Sequence, residues 1–92
     1  MNAYDFQYSE ELLRRLLSLL LGVFADSEKD EVQDFMGAGE YGLALETLVD
    51  IVLEENKHIP GASLVLICEL ADVIRLDKKV FEEKLCGHLS IG

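Results

Sequence analysis

The chain has 92 residues, of which 50% are hydrophobic and 28% charged, and its 18 acidic and 8 basic side chains give a formal net charge of −10 at pH 7. This composition is typical of one small globular domain and fits a globular protein better than an intrinsically disordered one. The negative charge disfavours nucleic acid and anionic membranes as partners and favours basic proteins, although a role in solubility alone explains the same charge. We therefore expect one domain over residues 1–92.

The two cysteines, Cys68 and Cys86, are 18 residues apart and predicted to be buried or half-buried thiols. A disulfide between them is also compatible with the sequence. The start of the chain lacks the basic and apolar segments of a secretory signal, so we expect reduced thiols and a cytoplasmic location. The apolar run at residues 16–24 is too short to cross a bilayer.

The first predicted helix follows a lead-in at residues 1–8, whose alternating aromatic residues (Tyr4, Phe6, Tyr8) fit either an extended segment or a helix start. Ser9 is predicted to be the N-cap, and Gly22 marks the expected end. The predicted core face consists of leucines at helical spacing, namely Leu12, Leu13, Leu16, Leu17, Leu20 and Leu21.

The second predicted helix begins at Asp26 or Ser27 and ends at the glycines Gly37 and Gly39. Ser27 and Asp30 match a weak form of the capping box. Three apolar residues are expected to reach the core, namely Val32, Phe35 and Met36. Four carboxylates are expected to face water, namely Glu28, Asp30, Glu31 and Asp34.

The third predicted helix starts in the glycine-rich turn and runs to about Asn56. Its apolar residues recur at i, i+3 and i+4, which predicts one buried stripe. The stripe consists of Tyr41, Ala44, Leu45, Leu48, Ile51 and Val52, widened by Val49. Glu46, Asp50 and Glu54 are spaced by four residues and form an acidic row on the opposite face.

Two more helices are predicted in the last third of the chain. Pro60 is expected in the first turn of the fourth, which is apolar on most faces and therefore expected to be buried by neighbours on several sides. Asp77 is predicted to cap the fifth, which ends at Gly87. Its inward residues are expected to be Val80, Phe81 and Leu85, with Cys86 as a further candidate. The predicted fold is all-α, a compact bundle of about five helices.

The sequence contains no recognisable catalytic or metal-binding pattern. His58 lies in a connection and His88 near the C-terminal end, so neither is expected to pair with a preorganised nucleophile. The scattered Cys and His residues lack the paired spacing of zinc sites. We therefore expect no enzyme activity, no cofactor and no metal.

The acidic residues favour a protein-binding surface. If the second helix packs beside the third, their carboxylates form one negative field that attracts a basic partner. Tyr41 and Leu43 are candidate anchors, although the spacing of Tyr41 also favours the core. The predicted partner-binding residues are Glu28, Asp30, Glu31, Asp34, Glu40, Tyr41, Leu43, Glu46, Asp50 and Glu54. An ordinary solvated face is the alternative.

The segment at residues 32–48, VQDFMGAGEYGLALETL, resembles the signature region of the MafI-type immunity protein family, which comprises small all-helical bacterial proteins. The similarity spans about residues 12–85 and is specific at residues 38–46, where GEYGLALE matches the pattern Gly-Glu-Tyr-Gly-x-Ala-x-Glu. The resemblance implies an inhibitor rather than an enzyme. Such proteins bind, in the cytosol of the producing cell, the C-terminal toxic domain of a cognate secreted polymorphic toxin, often a nuclease. The resemblance implies no contact residues, so the predicted partner-binding residues rest on the placement of charge alone.

A basic nuclease that cleaves RNA is the expected partner, because an acidic face complements a cationic substrate groove. The alternative is a small acidic helical adaptor or homodimeric scaffold without a toxin partner. An apolar content of 50% is high for so short a chain and can leave an apolar strip uncovered.

Overall fold

Five helices make up most of the structure, a computed structural model that describes residues 6–90. They are α1 (Phe6–Leu19), α2 (Asp26–Gly37), α3 (Tyr41–Glu54), α4 (Gly61–Val73) and α5 (Lys78–Leu85). The main packing joins α2 to α3, α1 to α4, and α4 to α5, and α3 also touches α1, α4 and α5. Within residues 6–90 the β-structure is limited to one parallel bridge between Ile59 and Leu89. The predicted all-α bundle is confirmed.

One apolar core is shared by all five helices. Every residue of the stripe predicted on α3 is buried, including Val49, because a helix that packs against four neighbours needs a wide apolar face. The predicted wet row Glu46, Asp50 and Glu54 is exposed. Helical periodicity therefore placed both faces of α3 correctly.

The first helix differs from the prediction at both ends. Ser9 is not an N-cap: it is buried within α1, which already includes Phe6. Leu21 is 61% exposed rather than buried. The helix ends at Leu19, and the chain then turns so that Phe24, whose N–H donates to the carbonyl of Leu20 at 2.8 Å, enters the core instead. Phe6 and Tyr8 are helical, whereas Tyr4 and the rest of residues 1–5, with residues 91–92, lie outside the described residues.

The second helix begins where predicted but is capped differently. The Glu28 carboxylate accepts the backbone N–H of Ala25 at 2.8 Å. Alanine has no side-chain acceptor, so only the glutamate half of a capping box is formed. The predicted box between Ser27 and Asp30 is wrong.

Helices α2, α3 and α4 end in the same hydrogen-bonded turn. A left-handed residue follows each helix cap, namely Gly39 (φ 76°), Asn56 (φ 50°) and Arg75 (φ 64°). The next N–H donates to the carbonyl five residues back, in the pairs Glu40–Phe35 (2.9 Å), Lys57–Val52 (2.9 Å) and Leu76–Ala71 (2.8 Å). This is the Schellman motif, which satisfies carbonyls that the helix leaves unpaired.

The fourth helix is more exposed than predicted. Pro60 is its N-cap, one residue before the first turn, and Gly61 begins the helix. Val65 is 65% exposed, so α4 is not enclosed on all sides. Its neighbours α1 and α5 cover other faces of α4 and leave this side chain at the surface.

The fifth helix buries only two side chains. Phe81 and Leu85 are inward as predicted, whereas Val80 and Cys86 are exposed, contrary to expectation. An eight-residue helix at the edge of the bundle presents one narrow face to the core, which two side chains fill. Asp77 caps it as predicted, by accepting the N–H of Lys79 at 3.0 Å.

The longest described helices, α1 and α3, have 14 residues each. No helix within residues 6–90 has the length and apolar content that crossing a bilayer requires.

Candidate partner-binding surface

Almost all of the net charge lies in the segment that contains α2 and α3. Residues 26–55 hold ten acidic side chains and one basic side chain, a formal charge of −9. The other 62 residues hold eight acidic and seven basic side chains, a formal charge of −1. The two helices therefore concentrate a negative field that the rest of the molecule lacks.

The pairing of α2 with α3 brings these carboxylates onto adjacent helices. Residues 38–40 connect the helices, and a Glu28–Lys57 ion pair joins the start of α2 to the chain just after α3. The two helices thus form an antiparallel hairpin. Eight of the ten predicted partner-binding residues are exposed, namely Asp30, Glu31, Asp34, Glu40, Leu43, Glu46, Asp50 and Glu54.

Glu28 does not belong to this exposed set. Its side chain is 19% exposed, and its carboxylate lies 3.0 Å from the Lys57 ammonium while also accepting the N–H of Ala25. These bonds, the Ala25 bond first, hold the pKa of the Glu28 carboxyl below its ordinary value. The expectation that Glu28 faces water is wrong, because the residue caps α2 and fastens the hairpin.

Tyr41 is buried in the core and is 5% exposed. Its ring lies 5.6 Å from that of Phe6, centroid to centroid, and its hydroxyl lies 3.5 Å from the carboxylate of Glu10. These contacts hold the ring between α1 and α3, so Tyr41 is not available as an interface anchor. Leu43, two residues on, is exposed and can serve as one.

The structure shows no cation paired with any of the seven exposed carboxylates of the predicted set within residues 6–90. The cations that do form pairs bind other carboxylates, in Arg14–Glu10, Lys29–Asp26, Lys57–Glu28 and Lys78–Asp72. No Lys or Arg occurs within α3.

One edge of the acidic row borders α5. Glu46 and Asp50 line a shallow groove with Val80, Phe81 and Lys84. Lys84 therefore places one positive charge at this edge of the acidic row. The acidic surface consists of Leu43 and seven exposed carboxylates, namely Asp30, Glu31, Asp34, Glu40, Glu46, Asp50 and Glu54.

An apolar groove lies between α1 and α4, a position that the sequence did not indicate. Leu19, which is 40% exposed, and Val65 lie on its sides, and Ala62 and the buried Leu66 complete its apolar lining. Arg15 borders it. Leu19 is not part of the leucine pattern that predicted the core face of α1. Helix α4 is apolar on most faces, so its sequence does not indicate which face is exposed.

Lys57 is a structural residue that no local pattern indicated. Its ammonium lies 3.0 Å from the Glu28 carboxylate, donates to the carbonyl of Val23 at 3.0 Å and lies 5.6 Å from the ring centroid of Phe24. It therefore joins the α1–α2 turn and the start of α2 to the end of α3. These partners are about 30 residues away in sequence, so only the folded chain reveals them.

The cysteine side chains are separate from each other within the part of the chain that the structure describes. Cys68 is half-buried and Cys86 exposed, and both are free thiols. Burial and the nearby Glu82 raise the pKa of Cys68, which disfavours its reactive thiolate. No group of three or more His, Cys, Asp or Glu within the described chain is arranged around a common metal position. The fold does bring His58 and His88 together, with ring centroids 5.9 Å apart.

Comparison of the chain with protein-family models, curated proteins and solved structures gives no match. Functional assignment therefore rests on the acidic surface and on the resemblance at residues 38–46.

Proposed function

We propose that the protein is an immunity protein that binds and neutralises the C-terminal domain of a cognate secreted bacterial toxin, a basic nuclease that cleaves RNA. The observation that carries this proposal is the concentration of nine of the ten net negative charges in residues 26–55. The seven carboxylates of the acidic surface, none of which has an ion-pair partner among the described residues, support it, as does the resemblance of the α2–α3 turn to MafI-type immunity proteins.

The proposed mechanism begins with electrostatic attraction. A negative surface steers a cationic nuclease and raises its association rate by about 10- to 1,000-fold. The same carboxylates compete with RNA phosphates for the basic groove of the nuclease. Leu43 lies on this surface and supplies an apolar anchor that slows dissociation. Catalysis by the immunity protein is not required, and binding occurs in the cytoplasm of the producing cell.

The direct test is co-purification with the toxin domain encoded by the reading frame immediately upstream. We expect a stable complex in which cleavage of RNA by the toxin domain is abolished. The matched control is a toxin domain from an unrelated system, which should neither bind nor be inhibited. Failure of the upstream domain to bind would contradict the proposal.

The apolar groove between α1 and α4 favours a second candidate function, a homodimeric scaffold or adaptor without a toxin partner. Exposed apolar side chains that line a common groove are typical of protein interfaces. If a second copy covers the groove, the molecular mass in solution rises with concentration and Val65→Asp keeps the protein monomeric. Leu43→Asp, which adds the same charge on the acidic surface, is the control. A monomer at all concentrations would exclude the homodimer.

A further inference from the structure

His58 and His88 lie side by side where the end of the chain returns to the connection between α3 and α4. Their ring centroids are 5.9 Å apart and the ring planes are inclined by 35°. The neighbouring residues fix this placement. The N–H of Ile59 donates to the carbonyl of His88 at 2.8 Å, and the N–H of Ser90 donates to the carbonyl of Ile59 at 2.8 Å. One parallel bridge therefore fixes the backbone that carries both imidazoles.

The hydrogen bonding of His88 leaves one nitrogen available as a ligand. Its Nδ1 lies 2.9 Å from the backbone carbonyl of Lys57. A carbonyl oxygen only accepts, so Nδ1 carries the proton and the Nε2 of the neutral ring keeps its lone pair. In metal sites, histidine ligands usually donate their other ring N–H to a carbonyl or carboxylate in this way. His58 is exposed, and no hydrogen bond within residues 6–90 occupies its ring.

We propose that His58 and His88 form a two-histidine site for a divalent transition metal such as Zn²⁺, Ni²⁺ or Cu²⁺. Imidazole suits these ions. With metal–nitrogen bonds of about 2.0–2.1 Å, each ring centroid lies roughly 3 Å from the ion, so two imidazoles on one ion have centroids roughly 5–6 Å apart. The observed separation of 5.9 Å falls in this range. Rotation of the exposed His58 ring about its side-chain bonds is the adjustment by which its nitrogen would share an ion with His88 Nε2.

The site is open, because the described chain supplies no third ligand around it. Water occupies the remaining positions of the ion, which makes the site exchangeable and weaker than a structural zinc centre with four protein ligands. A bound ion links residue 58 to residue 88 and so fastens the C-terminal segment after α5 to the α3–α4 connection. The metal stabilises the folded state, because the unfolded chain does not hold the two imidazoles together.

The test is titration of the metal-free protein with ZnCl₂ and with NiCl₂, with a thiol-free reductant present to keep both cysteines reduced. We expect one ion per chain by calorimetry. At saturation the midpoint of thermal unfolding should rise by about 4 °C or more, and a chelator should reverse this rise. His58→Gln should weaken binding at least about tenfold and abolish the shift, with an unchanged circular dichroism spectrum because His58 is exposed.

Two further variants separate the histidine pair from other ligands. Cys86→Ser removes the exposed thiol closest in sequence to His88 and should leave affinity for both ions unchanged. His88→Gln should weaken binding as His58→Gln does. Equal affinity in the wild type and His58→Gln, no thermal shift in the wild type, or loss of binding in Cys86→Ser would each overturn the proposal.

Discussion

The ammonium group of Lys57 holds three parts of the chain together, because it contacts Val23, Phe24 and Glu28 at once. Its side chain is only 18% exposed, so these bonds are partly shielded from water. A partly buried charge with good partners contributes more to stability than a surface ion pair.

Lys57→Met removes these bonds while keeping most of the apolar stem. We expect the free energy of unfolding to fall by about 1–2 kcal/mol, measured by urea denaturation. Lys29→Met is the matched control. The ammonium of Lys29 lies 3.5 Å from the fully exposed carboxylate of Asp26, so this change should cost less than about 0.5 kcal/mol. Equal effects of the two substitutions would contradict the role of Lys57.

Glu28 makes the stability of the protein depend on pH. Its carboxyl pKa is lowered in the folded state from an ordinary value of 4.5. The stabilisation is therefore fully present above that value and is lost as the pH falls through the lowered folded pKa. The stability advantage of the wild type over Glu28→Gln should be constant from pH 7 to pH 5.5 and shrink on acidification below pH 4.5.

Gln33→Ala, an uncharged change at an exposed position of α2, is the control for this comparison. The difference in free energy of unfolding between Gln33→Ala and the wild type should not vary across the same pH range. A difference for Glu28→Gln that is also independent of pH would show that the carboxylate does not stabilise the fold.

Ser63 is buried near the start of α4, and its hydroxyl has no hydrogen-bond partner within the described residues. An unsatisfied buried hydroxyl costs free energy, so Ser63→Ala should increase the free energy of unfolding by about 1 kcal/mol. Ser18→Ala, at an exposed position of α1, should gain only the few tenths of a kcal/mol that helix propensity provides. A loss of stability in Ser63→Ala would indicate that the hydroxyl has a partner after all.

At the scale of the helices, the Schellman turn after α4 contains a residue, Arg75, whose backbone angle favours glycine. Arg75 adopts φ 64° after α4, where Gly39 occupies the equivalent position after α2. A side chain in the left-handed region is strained by roughly 1–2 kcal/mol.

Arg75→Gly should therefore raise the free energy of unfolding by about 0.5–1 kcal/mol, since relief of the strain exceeds the added freedom of the unfolded chain. Arg75→Ala separates this effect from loss of the charge, because alanine keeps the β-carbon and should give no comparable gain. If both variants were stabilised equally, the charge rather than the backbone angle would be responsible.

Local periodicity predicted the helices well but not their ends. The stripe on α3 follows from spacing alone, whereas Leu21 fits the pattern of α1 equally well and is excluded only because the chain turns after Leu19. Exposure of Val65 and Val80 depends on which neighbours cover α4 and α5, which spacing does not specify.

The sequence also identified some residues of the candidate sites and missed others. The exposed carboxylates of α2 and α3 were identifiable from sequence, because charged residues on a helix face opposite an apolar stripe point to solvent. Glu28 was wrongly expected to face water because its partner Lys57 lies 29 residues away. Spacing left Tyr41 between the core and the surface, since its partners Phe6 and Glu10 lie 35 and 31 residues away. The pairing of His58 with His88 depends on the return of the C-terminal segment and has no local signal.

At the scale of the whole molecule, charge is segregated. The part outside residues 26–55 is almost neutral, so the molecule has one strongly negative region. Such an arrangement orients an approaching cationic protein as well as attracting it. The proposed function depends on this region acting as the interface and not merely as a source of net charge.

The measurement that tests this most directly is the rate of association with the upstream-encoded toxin domain at low and high salt. The variant Glu46→Lys, Asp50→Lys, Glu54→Lys should associate at least about tenfold more slowly at low salt, and the difference should shrink in 0.5 M salt, where screening is strong. The control, Glu11→Lys, Glu82→Lys, Glu83→Lys, changes the net charge equally at exposed positions outside residues 26–55 and should be affected much less. Unchanged kinetics in the first variant, or equal slowing in both, would contradict the assignment of α2 and α3 as the interface.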